Sequence, residues 1–67
     1  SGGEIFEDLN HGDLVSISNG PFEGYDAIFD SRIDGAQRVR VLLKMLSEQH
    51  VPVEMDAAYL EKKKKKN

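Results

Sequence analysis

Between Leu14 and Phe29 two short apolar runs flank a stretch that suits neither a helix nor a continuous strand. Leu14-Val15-Ser16-Ile17-Ser18 is β-branched and roughly alternating, and Tyr25 to Arg32 is rich in aromatic and apolar residues. Both patterns are those of half-buried strands. Asn19-Gly20-Pro21 breaks the first run, because Gly reaches positive φ without steric cost and Pro has no N–H to give to a ladder. Gly24 repeats the break just before the second run. A strand–loop–strand unit of this kind commits the chain to antiparallel β-structure.

The remaining segments extend the same pattern. Asp34-Gly35 is a two-residue hairpin signal, since type I′ turns need positive φ at both central positions. Gln37 to Met45 then pairs back as a third strand. Val51 to Met55 makes a fourth, with Pro52 marking a strand start or a sheet edge. Ala58-Tyr59-Leu60 closes the set as a short fifth strand. Short strands with tight turns predict a small five-stranded antiparallel barrel, which removes the edges an open sheet would expose. With 67 residues and no cysteine, the chain is one domain without disulfide support. Roughly 3–5 kcal/mol is what a core of this size supplies. Ser1-Gly2-Gly3 reads as a cloning scar and Glu4 to His11 as the remnant of an acidic linker. The expected organisation is therefore 1–11 scar and linker, 12–61 folded domain and 62–67 flexible lysine-rich tail.

Gly12 to Phe29, with Gly20, Pro21 and Gly24 as its turn residues, resembles the KOW motif of transcription and ribosomal proteins. The fit is to the C-terminal domain of the NusG family of transcription elongation factors, over about residues 12–61. Gly24-Tyr25-Asp26-Ala27-Ile28-Phe29 is similar to the specialised RfaH-like branch, whereas Pro52-Val53-Glu54-Met55-Asp56 is similar to the Pro-Val-Glu-Leu-Asp segment of general NusG. The resemblance implies an SH3-like (KOW) barrel that is a monomeric, cytoplasmic protein-binding module and not an enzyme. It further implies an upstream N-terminal domain that holds RNA polymerase, and a partner, NusE, the ribosomal protein that doubles as a transcription factor. On this reading Leu46 occupies the apolar tip position that meets NusE, with Met45 beside it. Phe22 and Tyr25 in the KOW loop are aromatic anchors of the kind enriched in binding hot spots. The competing reading has Leu46 and Phe22 simply packing onto the small core.

Residues 38–46 carry two periods. As a strand, Val39, Val41, Leu43 and Met45 share one face, Arg38, Arg40 and Lys44 sit opposite, and Leu42 and Leu46 are misfits. As a helix, Val39, Leu42, Leu43 and Leu46 form a stripe, and Val41 and Met45 are the misfits. Isolated helices of this length are marginal in water, so a helical form needs an outside surface. The RfaH-like branch implies such a state: an α-helical hairpin docked on the N-terminal domain, released as a barrel. Asp34-Gly35 and Pro52 oppose it locally.

Charge separates the two binding classes. Through residue 61 twelve carboxylates face only Arg32, Arg38, Arg40 and Lys44, and Lys62 to Lys66 follow as a block. Nucleic-acid affinity rests on clustered positive charge within the fold, which an acidic body lacks. A protein partner, and a basic one, is the expectation. The alternative is an RNA-binding KOW module of ribosomal-protein type, with Lys62 to Lys66 as its phosphate-seeking element. Catalysis has little to stand on. His11 falls in the linker, His50 in a loop, Glu54 and Asp56 share a solvated strand face, and no serine has a base partner. Gly20 to Gly24 lacks the Lys and following helix of a phosphate loop. No cofactor or metal is expected, and no apolar run approaches the roughly 20 residues of a membrane span.

Overall fold

A computed structural model of the chain describes residues 9–33 and 37–63. Five strands form one antiparallel sheet that curls into a small SH3-like barrel: β1 (Leu14–Ile17), β2 (Asp26–Ile33), β3 (Arg38–Lys44), β4 (His50–Asp56) and β5 (Leu60–Lys62). Their order across the sheet is β4-β3-β2-β1-β5. The Asp34-Gly35 turn lies outside the described residues, but the pairing Ile33↔Arg38 on either side of it is that of a hairpin.

Period-2 alternation fills the interior. Val15 and Ile17, Ala27 and Phe29, then Val39, Val41 and Leu43 point inward with Met55, Ala57 and Leu60. The strand reading of 38–46 is the one adopted. Of its misfits, Leu42 lies on the outer face in register with Ile28 and Pro52, half-covered by its neighbours. Leu46 leaves the sheet altogether. The β2 ladder to β3 shifts register between Phe29 and Ser31, a bulge at Asp30. An extra residue bends and twists the strand, and the eight-residue β2 continues past it to Ile33. Phe29 donates to Asp13 O and accepts from Gly12 N–H, both at 2.8 Å, so the chain before β1 is tied to β2 at the bulge.

Three expected boundaries move. Leu9 is 1% exposed and joins the core, so the packed unit begins before residue 12 and His11 is not simply linker. A lone leucine among acids has no periodicity to announce it. The fifth strand begins at Leu60, because Ala57–Tyr59 is a 3₁₀ turn. Asp56 caps that turn, its Oδ1 accepting from Ala58 N–H at 2.8 Å, and this lets Ala57 drop into the core. Lys62 and Lys63 belong to the fold and not to a tail. Lys62 ends β5, and Lys63 donates its N–H to Leu14 O at 3.1 Å.

The β4 edge follows from two hydrogen bonds. Ala57 N–H donates to Gln37 O (2.8 Å) at one end of the β3–β4 pairing and Met45 N–H to Gln49 O (3.0 Å) at the other. Antiparallel strands alternate between residues bonded to the neighbour and residues facing away. Val51, Val53 and Met55 therefore bond β3, while His50, Pro52, Glu54 and Asp56 turn their backbone outward. Pro52 sits where that free edge would otherwise present a donor.

Candidate protein-binding site

The loop between β1 and β2 is two linked turns. Glu23 N–H donates to Gly20 O at 3.1 Å and Tyr25 N–H to Phe22 O at 3.0 Å, and Gly24 N–H returns to Ile17 O at 2.8 Å. Gly20 (φ 86°) and Gly24 (φ 94°) occupy the left-handed region those turns require. Gly20, Pro21 and Gly24 all fall within this loop. The loop presents Phe22 and Tyr25 edge to face, with ring centroids 5.9 Å apart and planes at 89°. Such a T-shaped pair is a favoured aromatic geometry. Phe22 is half-buried against the core, whereas Tyr25 is 40% exposed.

The β3–β4 turn stands beside it. Glu48 N–H donates to Met45 O at 2.9 Å, closing Met45-Leu46-Ser47-Glu48 as a tight turn. Glu48 completes the hairpin at φ 67°, the left-handed region, without the freedom of glycine. Met45 remains against the core while Leu46 projects from the tip, fully exposed at 106%. Of the two readings of Leu46, core packing is excluded by this exposure. Phe22 does pack on the core through part of its ring.

Between the two loops lies an open groove of about 580 Å³, lined by Gly24, Tyr25, Asp26, Lys44, Met45, Leu46 and Ser47. Tyr25, Met45 and Leu46 therefore share one surface, whereas Phe22 does not line it and touches it only through its edge-to-face contact with Tyr25. Sequence reasoning missed the polar rim. Asp26 and Lys44 flank the apolar floor on the outer face, and Asp26 accepts an ion pair from Lys63 Nζ at 3.2 Å. Glu23 and Glu48 adjoin the two lining segments.

The candidate catalytic groups are dispersed. His11 Nδ1 lies 3.0 Å from the backbone oxygen of Asp30, and His50 opens β4 in register with Lys44 instead of lying in a loop. Glu54 pairs with Arg40 at 3.1 Å, and Asp56 serves as the cap. Among the described residues no group of three or more His, Cys, Asp or Glu is placed to hold a metal ion. No helix among them is long and apolar enough to cross a membrane.

No family model matches the chain, and no curated protein matches it in sequence. Among solved structures, NusG of Thermotoga maritima, in a study of its domain interaction, is similar over 82% of this chain with a TM-score of 0.72 and 25% identity. The chain spans 30% of the length of that protein. The likeness supports a NusG-like C-terminal domain.

Proposed function

We propose that this barrel is the recruiting module of a NusG-family elongation or antitermination factor of the RfaH-like branch, and that its partner is NusE. The observation that carries the reading is Leu46: a fully exposed apolar side chain at a turn tip, sharing a groove with Tyr25 and Met45. Exposed aliphatic and aromatic groups gathered in one concave patch are how a small domain offers hot-spot contacts. An upstream domain, in a longer cytoplasmic protein, holds RNA polymerase. The barrel brings NusE, and with it the antitermination complex or the ribosome, to the same place. A patch this small binds weakly alone and gains from the effective concentration a linker supplies.

The test is a ¹H–¹⁵N correlation spectrum of the chain titrated with purified NusE. Shifts gathered at Tyr25, Met45 and Leu46 are expected. A well-dispersed spectrum that does not respond at high NusE removes the partner and returns the RNA-binding alternative to the front. The same reading includes a second packing in the longer protein, with 37–61 as a helical hairpin on the upstream domain, supported by the double period of residues 38–46. Backbone chemical shifts that show strands throughout 37–61 in a chain carrying the upstream domain would sink that part.

A further inference from the structure

The groove has a feature that a purely apolar docking site does not need. Asp26 stands on its rim, and the amine that satisfies Asp26 comes from across β1. Lys63 follows β5, and β1 lies between β5 and β2, so the Lys63 side chain must cross β1 to reach Asp26 Oδ1 at 3.2 Å. Both groups keep close to half their side-chain surface in water, 45% for Lys63 and 49% for Asp26. Lys63 is anchored independently of this contact, because its backbone N–H is bonded to Leu14 O. The neighbouring Lys62 makes a parallel bridge to Asp13 at 3.7 Å.

Glu23 and Glu48 adjoin in sequence the segments that line the groove, and with Asp26 they outnumber Lys44 and Lys63. Complementarity therefore favours a positively charged visitor. We infer that Lys63 is an internal placeholder on Asp26, and that the groove takes a protein segment in which an apolar side chain is flanked by Lys or Arg. The apolar group lies against Tyr25, Met45 and Leu46, and the flanking cation takes Asp26 over from Lys63. A solvent-exposed ion pair is worth little, which is what makes the exchange feasible. Lys63 thereby holds binding to basic partners below what the groove alone would give. This deepens the function proposed above and rests on the same groove.

The experiment uses the whole chain, its Lys63→Gln and Asp26→Asn variants, and the double variant. Each is titrated, followed by ¹H–¹⁵N spectra at low and physiological salt, with two short peptides. Both peptides carry the same central Leu-Phe pair, one flanked by lysines and the other by glutamates. The basic peptide is expected to shift Tyr25, Asp26 and Met45 and the acidic one to leave them in place. Lys63→Gln should tighten the basic peptide about two- to fivefold. Asp26→Asn should weaken it and abolish the gain from Lys63→Gln. Equal response to both peptides, response to neither, or a Lys63→Gln variant that binds like the parent overturns the inference. NusE is titrated in parallel: if the peptides discriminate as expected while NusE leaves the groove untouched, the partner falls and the placeholder stands.

Discussion

The Tyr59 ring lies so close over Gly20 that a Cβ built on Gly20 would stand 2.8 Å from Cε2 and 3.0 Å from Cδ2. Tyr59 belongs to the 3₁₀ turn before β5, and its carbonyl accepts from both the N–H and the Oγ of Ser18, at 2.7 and 2.9 Å. Gly20 opens the loop that carries Phe22 and Tyr25. The loop after β1 and the turn before β5 are locked together here, and the lock depends on Gly20 having no side chain.

Gly20→Ala should therefore lose stability twice, once through positive φ and once through the ring. About 2–3 kcal/mol is expected from backbone strain and displaced packing together. Gly24 has a similar φ of 94° but open space around its Cβ position, so Gly24→Ala should lose only about 1–2 kcal/mol. Urea unfolding of the two variants separates the contributions. Equal losses would show that the Tyr59 contact matters little.

The β3–β4 turn carries strain of the opposite kind. Glu48 sits at φ 67° with no side-chain hydrogen bond among the described contacts to hold it there. Glu48→Gly should stabilise the barrel by about 0.5–1 kcal/mol, the relief of strain being partly offset by the greater freedom of glycine in the unfolded chain. A rise in Tm of about 4–8 °C corresponds to 1 kcal/mol at this size, so a scanning thermal melt is sensitive enough. A lower Tm would mean that Glu48 contributes an interaction the turn geometry does not reveal.

Leu9 gives a third expectation. Truncation to alanine at a site 1% exposed should cost about 2–5 kcal/mol, an amount comparable to the whole stability of so small a domain. Read as linker, residue 9 would be dispensable. Circular dichroism of Leu9→Ala, compared with alanine at the exposed neighbour Asn10, distinguishes a core residue from a tether.

What the sequence made legible was whatever repeats every second residue or breaks a strand. Val39, Val41 and Leu43 declared their face, and Gly20, Pro21 and Gly24 declared their turns. Leu46 was a strand misfit just as Leu42 was, so periodicity did not separate the side chain that leaves the sheet from the one that stays on its outer face. The long-range partners were not legible. Lys62 and Lys63 look like the start of a tail because like charges in a row repel. Their partners Asp13 and Asp26 are brought near only by β1 lying between β5 and β2. The left-handed Glu48 was hidden for a related reason: glutamate carries no turn signal, and the hairpin imposes the conformation on it.

The outward edge of β4 yields a test of self-association. Pro52 removes a donor from the middle of that edge, and Glu54 and Asp56 add charge beside it. Free edges with intact donors template pairing with other chains. Pro52→Thr places a β-branched side chain on the outer face and restores the N–H. The variant should remain folded and show more concentration-dependent dimers or larger species than the parent chain by sedimentation velocity. A Pro52→Thr chain that stays monomeric at high concentration would show that charge alone protects this edge.

Leu46→Asp isolates recognition from folding. The side chain makes so little contact with the rest of the barrel that its replacement should change stability by no more than about 0.5 kcal/mol. The same change places a carboxylate at the centre of the apolar patch, beside Tyr25 and Met45. For a central anchor, affinity for NusE should fall about tenfold or more, equivalent to about 1.4 kcal/mol. Met45 offers the contrast, since it is held against the core as well as lining the groove. Met45→Asp should lose stability and binding together. Parallel urea melts and NusE titrations of the two variants give the answer: a folded Leu46→Asp barrel that binds NusE as the parent does removes Leu46 from the interface, whatever the exposure of its side chain.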